Sequence, residues 1–150
     1  MSKQVVRALL DTNALLYLIN PKSVHNKALI ELLKSCDNHD LSLYVAAHSL
    51  KDFYYIASKA PYLLDDKVKR KCLDFFLKTF KHINLTEEIQ RSALVDNGPD
   101  FEDAIVKISA ESCMCNFVVT YDMSKRAFES EVFKKVTAEE LVVLLAQKKS

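Results

Sequence analysis

The sequence contains a single glycine, Gly98, among its 150 residues. A dinucleotide-binding fingerprint and a P-loop each need several glycines, because the backbone must turn tightly or approach a phosphate closely, so both are excluded. None of the four histidines belongs to an HExxH motif, and no serine lies in a G-x-S-x-G elbow, so the matching metalloprotease and serine-hydrolase chemistries are excluded as well. Any chemistry in this chain must therefore use other residue types.

Long apolar runs and a strong net charge are also absent. No run approaches the roughly 20 apolar residues that a membrane-spanning helix needs. The first ten residues lack the apolar core and the cleavage site of a signal peptide, so we expect a cytoplasmic protein without membrane association. The net charge is only +1, so any nucleic-acid site would have to use a local basic patch.

The cysteines do not form a zinc framework, since they provide no pair of C-x-x-C units and no matched histidines. We expect reduced thiols buried in helices, with a redox or metal role as the alternative. The four are Cys36, Cys72, Cys113 and Cys115.

A chain of 150 residues that is 49% apolar is long enough for one domain, spanning residues 1–150, with its own core. Short apolar runs bounded by polar turns predict strands at Val5–Leu10, Leu41–Ala46, His82–Leu85, Phe117–Thr120 and Val132–Val136. Segments of helical periodicity and their capping residues predict helices at Ala14–Ile19 (capped by Thr12 or Asn13), Ser23 to about Cys36, Ser49–Lys59, Asp65 or Asp66 to about Phe80, Thr86 to about Val95, Phe101 to about Cys113, and Ala138–Gln147 (capped by Thr137), with a helical turn at 124–128. This alternation predicts an α/β fold of three layers, α/β/α, with a central parallel sheet of about four to five strands.

Four aspartates fall near predicted strand ends. Asp11 ends the first strand, Asp52 lies in the first turn after the second, and Asp122 follows the fourth by two residues. In an open α/β sheet, ligands bind beyond the carboxyl ends of the strands, so these three should share one edge. Asp103, in the first helical turn after the break at Gly98, joins them if its helix begins at that edge.

Four clustered carboxylates would repel one another and raise one another's pKa values unless a cation lay between them. Mg²⁺ and Mn²⁺ prefer such hard oxygen ligands. A bound divalent cation acidifies water and offsets charge on a phosphate, which is sufficient chemistry for hydrolysis of a phosphodiester. The pattern therefore favours a metal-dependent nuclease.

The same aspartates also fit local structural roles. Asp52 lies three residues after Ser49, and Asp103 three after Asp100, which is the spacing of capping boxes. The other two aspartates stand where turn residues are common. Spacing alone leaves both interpretations open.

The residues around these acids resemble the motifs of the PIN-domain family. Residues 9–13 (LLDTN) resemble its opening motif, residues 100–105 (DFEDAI) its third acidic motif, and residues 118–122 (VVTYD) its closing motif. The helical segment 49–54 (SLKDFY) occupies the position of the second acidic motif. The resemblance covers nearly the whole chain, with the motifs in the family's order and spacing.

This resemblance implies the roles of individual residues. The metal-binding and catalytic acids would be Asp11, Asp52, Asp103 and Asp122, with Asn13 and Thr120 as polar supports and Asp100 as an auxiliary acid or a helix cap. The second position is usually Glu in the family, and the shorter Asp52 here puts the activity in question. Glu102, one step off the face of Asp103, should be exposed to solvent.

Small bacterial members of the family are mostly VapC-like toxins, which cleave RNA, are inhibited by an antitoxin and are commonly dimers. The resemblance therefore implies a Mg²⁺- or Mn²⁺-dependent endoribonuclease, the toxin of a toxin–antitoxin pair, with RNA, an antitoxin and a second copy of the chain as partners. The alternative is a catalytically weak or silent PIN-fold module that binds RNA or protein. A phosphotransferase or receiver-like protein is disfavoured, because D-T-N lacks the second aspartate of a D-x-D nucleophile motif.

Several basic and aromatic side chains are candidates for contacts with RNA. Each also has a structural interpretation, as part of a solvated helix face for the basic residues and as core or dimer packing for the tyrosines. The basic candidates are Lys51, Lys59, Lys69, Arg70, Lys125 and Arg126, and the aromatic ones are Tyr54, Tyr55 and Tyr62.

Overall fold

The computed structural model describes residues 4–96, 100–122 and 129–148. The described ranges contain five strands and seven helices, in the order β1 (Val6–Leu10), α1 (Thr12–Leu18), α2 (Asn26–Asp37), β2 (Leu41–Ala46), α3 (Ala47–Ala57), α4 (Asp66–Thr79), β3 (Lys81–Ile83), α5 (Glu87–Val95), α6 (Phe101–Ser112), β4 (Phe117–Val119), β5 (Lys134–Val136) and α7 (Ala138–Lys148). The predicted break at 97–99, the predicted turn at 124–128, and the candidate RNA contacts Lys125 and Arg126 lie outside the described residues.

The strands form one parallel sheet in the order β3-β2-β1-β4-β5. Leu10, the last residue of β1, is in register with Val45 of β2 and with Val119 of β4. The carboxyl ends of the three central strands are therefore aligned at one edge. The predicted parallel sheet of four to five strands is confirmed.

Two hydrophobic clusters cover opposite faces of this sheet. Successive side chains of a strand point to opposite faces. Accordingly, Ala8 and Leu10 of β1 belong to the larger cluster, and Leu9 belongs to the smaller one. The larger cluster receives buried side chains from α1, α2, α3, α4 and α7, and the smaller one from α5 and α6. This distribution confirms the three-layer α/β/α fold.

Three predicted capping residues begin their helices. Asp65 accepts a hydrogen bond from the amide of Val68 at 2.9 Å, and so begins α4. Thr86 caps α5 in the same way. At α7, Thr137 and Glu140 form a capping box, in which each side chain accepts a 3.1 Å bond from the backbone amide of the other. These bonds satisfy amides that have no partner inside the helix.

The starts of the first two helices differ from the prediction. Asp11, rather than Thr12 or Asn13, is the N-cap of α1. Ser23 does not begin α2, because its hydroxyl accepts from the amide of His25 at 3.2 Å inside the preceding turn. The helix begins only at Asn26.

Two strands are shifted or shortened relative to the prediction because their ladders are set by their partners. β3 is Lys81–Ile83 rather than 82–85, since it pairs with the last three residues of β2. β5 is Lys134–Val136 rather than 132–136, since it pairs with a β4 that has only three residues.

The buried face of α4 is narrower than its sequence indicates. Phe76 is fully buried, as predicted, and Cys72 is half-buried. Phe75 and Val68, also predicted to be buried, are 42% and 40% exposed. Successive helical residues are about 100° apart around the axis, so Phe75 cannot share the core-facing direction of Phe76.

All four cysteines are free thiols, in agreement with the prediction, but only Cys115 is fully buried. Cys115 also lies outside the helices, just before β4. Burial is the main cause that raises the pKa of the Cys115 thiol to about 12 and that of Cys36 to about 11. Both thiols are therefore protonated and poorly nucleophilic near neutral pH.

Within the described ranges, none of the helices combines the length and the apolar character that a bilayer crossing requires.

The neighbouring phenylalanines of α4 provide a matched test of this packing. We expect Phe76→Ala to lower the free energy of unfolding by about 3–5 kcal/mol, because it leaves a cavity in the core. Phe75→Ala, one residue away, should cost about 1 kcal/mol. Urea denaturation of the two variants measures the difference, and equal losses would contradict the assigned helix face.

Candidate active site

Carboxylates from three separate elements line one cleft at the carboxyl edge of the sheet. Asp11 lies at the junction of β1 and α1, Asp52 lies on α3, and Glu102 and Asp103 lie in the first turn of α6. The cleft has a volume of about 390 Å³ and is lined by Asp11, Thr12, Asn13, His48, Asp52, Tyr55, Ile56, Glu102, Asp103 and Val106. The structure thus brings together three of the four predicted acids and the predicted polar support Asn13.

Both carboxylate oxygens of Asp11 are held by hydrogen bonds. Oδ1 accepts from the amide of Thr12 at 2.8 Å, and Oδ2 accepts from the hydroxyl of Thr120 at 3.2 Å. These two bonds hold the Asp11 carboxylate in a fixed orientation.

Thr120 connects Asp11 to the fourth predicted acid. Its side chain is completely buried. Its hydroxyl donates to Asp11 and accepts from the amide of Asp122 at 3.2 Å. Asp122 does not belong to the cleft lining, but the Thr120 hydroxyl links its backbone to Asp11. Thr120 is thus hydrogen-bonded to both Asp11 and Asp122, while its supporting role in a reaction stays a prediction.

Asp52 occupies a different helical position from the one predicted. α3 begins at Ala47, directly after β2, and Ser49 is a buried residue inside the helix rather than its cap. The capping-box interpretation of Asp52 is therefore wrong. Asp52 lies one turn after His48 and one turn before Ile56, and residues at these spacings share one helix face. All three line the cleft.

Asp100 and Asp103 have separate positions at the start of α6. Asp100 is the N-cap and accepts from the amide of Glu102 at 2.8 Å, so it has the capping role that the sequence offered as an alternative. It does not line the cleft, whereas Asp103 does. Glu102 is exposed, as predicted, but it also faces the cleft, which the sequence did not indicate.

His48 is a cleft residue that the motifs did not identify. Burial lowers the pKa of its imidazole, while the charges of Asp52, Asp11 and Glu102 act in the opposite direction. Three carboxylates from three elements thus act electrostatically on one side chain. The only signal in the sequence is the spacing of four residues between His48 and Asp52, which predicts a shared face once the helix start is known.

A cluster of aromatic and ionisable side chains anchors the segment after β4. The hydroxyl of Tyr121 donates to Glu139 at 3.1 Å, and the Tyr121 ring stacks on His25 with a centroid separation of 3.9 Å. His25 Nδ1 lies 2.8 Å from the other Glu139 oxygen. Burial, and then the charge of Glu139, raise the pKa of Tyr121. The residue between Thr120 and Asp122 is thereby attached to α7 and to the start of α2.

The donor chemistry of the cleft fits Mg²⁺ or Mn²⁺, because its ionisable lining is mainly carboxylate. Within the part of the chain that the structure describes, however, no three Asp, Glu, His or Cys side chains are grouped closely enough to hold a metal ion. Binding by these acids would require their side chains to approach one another.

The candidate RNA contacts on α3 and α4 differ in accessibility. Lys69 is only 6% exposed. Its ammonium lies 3.8 Å from the centroid of the Tyr54 ring and donates to the Ser58 hydroxyl. The prediction that Lys69 contacts RNA is therefore wrong, because this cation is part of the packing between α3 and α4.

The remaining described candidates are exposed. Lys51 and Arg70 line a separate shallow groove between α3 and α4, and Arg70 pairs with Asp66 at 2.7 Å. Lys59 lies one turn after Tyr55, which lines the cleft. Lys59 contacts the Tyr55 ring, and the charge of Lys51 acts on His48 in the same cleft.

The acidic motifs lie within a segment that matches a known protein family. The family model described as a PIN domain matches residues 7–124. The chain belongs to the PIN-domain family. The predicted family membership is confirmed, and the match includes all four predicted acids. No curated protein matches the chain in sequence.

Solved structures share the PIN fold at low sequence identity. VapBC2 from Rickettsia felis, bound to a DNA fragment from its promoter, has a TM-score of 0.62 at 14% identity, with 87% of this chain and 98% of that chain covered. PAE2754 from Pyrobaculum aerophilum has a TM-score of 0.62 at 22% identity, covering 95% and 96%. VapC20 from Mycobacterium tuberculosis, a toxin that cleaves the sarcin-ricin loop, has a TM-score of 0.60 at 11% identity, covering 77% and 89%. At these identities the likeness concerns the fold.

The two hydrogen bonds of the Thr120 hydroxyl can be tested by an isosteric change. We expect Thr120→Val to destabilise the protein by about 1–3 kcal/mol, because buried polar partners lose their bonds. The amide of Asp122 should also exchange its hydrogen faster. Thr120→Ser keeps the hydroxyl and should keep the slow exchange. Hydrogen exchange followed by NMR measures this, and unchanged protection of Asp122 in the valine variant would contradict the assigned contact.

Proposed function

We propose that this PIN-domain protein acts as a single domain and is a Mg²⁺- or Mn²⁺-dependent endoribonuclease. One observation carries the proposal. Asp11, Asp52 and Asp103, each in a motif position of the family, come from three different elements and line the same cleft. Carboxylates that lie close together disfavour one another's ionised form unless a cation lies between them. Helix capping and turn formation do not explain why acids from three elements line one cleft, so a functional site is the better explanation.

The residues of the chain can be assigned roles in such a reaction. Asp11, Asp52 and Asp103 would hold the cation, and Asp122 would join them from the segment held by Thr120. When bound, the cation would make a water more acidic and offset negative charge on the phosphate. Asp11 is held in its orientation by hydrogen bonds from the Thr12 amide and the Thr120 hydroxyl. Tyr55 and Glu102, which line the cleft, are both exposed, so among the described residues this side of the cleft is accessible to a polymer chain.

RNA is the proposed substrate because VapC20, which shares the fold, cleaves the sarcin-ricin loop. We further propose that the protein is the toxin of a toxin–antitoxin pair, acts in the cytoplasm, and can form homodimers. Support comes from the structure of VapBC2, in which 98% of the matched chain is covered by this chain. The proposed partners are therefore RNA, an antitoxin protein and a second copy of the chain.

A second candidate function is a catalytically weak or silent PIN-fold module that binds RNA or protein. Two observations favour it. Asp52 replaces the longer glutamate that is usual in the family, and the described residues include no group of three side chains placed to hold a metal. Binding without cleavage would support this function.

Cleavage assays with matched charge changes test the nuclease. We expect the protein to cleave RNA with Mn²⁺ or Mg²⁺ and to stop when EDTA removes the metal. Changing a residue that only orients a metal ligand typically lowers activity about 10- to 100-fold. Asp11→Asn and Asp103→Asn change the proposed ligands themselves, so each should lower activity by more than about 100-fold. Asp65→Asn makes the same charge change at the cap of α4 and should leave the rate within a few-fold. Cleavage that survives both active-site changes would refute the assignment.

Asp52→Glu distinguishes the two candidate functions. If the shorter side chain limits the approach of the carboxylates, the added methylene should raise metal-dependent cleavage above that of the unchanged protein. A silent module should bind RNA equally well with either residue and cleave it with neither. Rates measured at saturating Mn²⁺, beside Asp52→Asn, give the comparison.

A further inference from the structure

The three tyrosines that the sequence offers for base stacking have different environments. Tyr54 is engaged within the protein, since its hydroxyl donates to Asp66 and its ring faces the ammonium of Lys69. Tyr62 packs against the larger hydrophobic cluster. Tyr55 is 61% exposed and lines the acidic cleft. Of the three, only Tyr55 combines exposure with a position at the candidate site.

The position of Tyr55 follows from the geometry of α3. It lies three residues after Asp52, and residues at this spacing are neighbours on one helix face. The same helix therefore presents a candidate metal-binding carboxylate and, next to it, a large exposed aromatic ring. Because Tyr55 is exposed and lines the cleft, its ring is accessible to a ligand that binds beside Asp52.

A positive charge accompanies the ring. The ammonium of Lys59 lies 3.9 Å from the Tyr55 ring centroid and donates to the Tyr55 hydroxyl at 2.6 Å. Lys59 is exposed. The ionisable lining of the cleft is mostly acidic, whereas Lys59 lies beside the cleft against Tyr55. A cation at this place can attract a phosphate of the RNA backbone.

We propose that Tyr55 and Lys59 form a substrate subsite, in which the Tyr55 ring stacks on an unpaired base beside the scissile bond and Lys59 contacts the adjacent phosphate. The ammonium lies near the hydroxyl end of the ring, which leaves the ring face available to a base. The substrate class, RNA, rests on the proposed function. This subsite requires that the RNA is single-stranded at this position, since bases inside a duplex cannot stack on a side chain.

The surroundings of Tyr55 favour RNA over a protein partner. Aromatic hot spots in protein interfaces are typically surrounded by other apolar contacts that exclude water. The cleft around Tyr55 is lined mainly by polar and charged side chains, with Ile56 and Val106 as its aliphatic members. A flat ring among charges matches the combination of stacking and backbone contact that single-stranded nucleic acid uses.

The absence of tryptophan from the sequence allows a direct test. Tyr55→Trp, combined with Asp11→Asn to prevent cleavage, places one tryptophan at the subsite. We expect a short single-stranded RNA to quench its fluorescence on binding, because the base stacks on the indole ring. The same sequence as a duplex, and an oligonucleotide with abasic positions, should quench it much less.

Binding affinities measured on the Asp11→Asn background complete the test. Tyr55→Leu should weaken binding of the single-stranded RNA by about fivefold or more, the lower end of what stacking on one aromatic side chain contributes. Tyr55→Phe keeps the ring and should stay within about twofold of the parent. Phe75→Leu removes an exposed aromatic ring elsewhere and is the control for nonspecific loss. Lys59→Gln should weaken binding and reduce its dependence on salt concentration.

The outcomes separate this inference from the proposed function. If the unchanged protein cleaves RNA but Tyr55→Leu binds as tightly as the parent, the subsite is refuted and the nuclease stands. Equal weakening of intact and abasic RNA would refute stacking. If the protein neither binds nor cleaves RNA, both proposals fail, and an effect of Tyr55→Leu confined to a protein partner would reassign the surface.

Discussion

The parallel pairing of β1 with both β2 and β4 is the constraint on which the cleft depends. Leu10 is in register with Val45 on one side and Val119 on the other, so three neighbouring strands end at the same edge of the sheet. Asp11, α3 and Thr120 follow directly from these ends. The hydrogen bonds of Asp11 to Thr12 and Thr120 then fix one carboxylate between two strands. Apolar burial on both faces of β1 thus determines where the charged groups meet.

Much of the fold follows from signals that lie within short stretches of sequence. The central strands appear as short, largely apolar runs. The caps Asp65, Thr86 and Thr137 act through bonds to amides only three residues away. The start of α3 could not be predicted in this way. Its N-cap position is Ala46, which forms no side-chain cap, so the residues there carry no local signal. The helix begins at Ala47 because β2 ends, which is a tertiary effect.

The site was predictable to the extent that its residues belong to motifs. Asp11, Asp52 and Asp103 were identified from the sequence and share the cleft. His48 was missed, because its place beside these acids depends on the rotation of α3. Lys69 was misassigned for a related reason. A lysine within a basic run resembles a solvated residue, and its burial depends on Tyr54 and Ser58 of another helix. Whether a long charged side chain is buried or exposed depends on the residues that surround it in the folded protein.

The direct junction between β2 and α3 has a consequence for how this family member can vary. Ala46 is the last residue of the strand and Ala47 the first of the helix, with no loop between them. Inserting or deleting one residue here would turn α3 by about 100° around its axis. Its acidic and aromatic face would then look away from the sheet edge. Insertions and deletions are therefore expected elsewhere in the chain. The length of this junction determines where Asp52 and Tyr55 lie relative to the sheet edge.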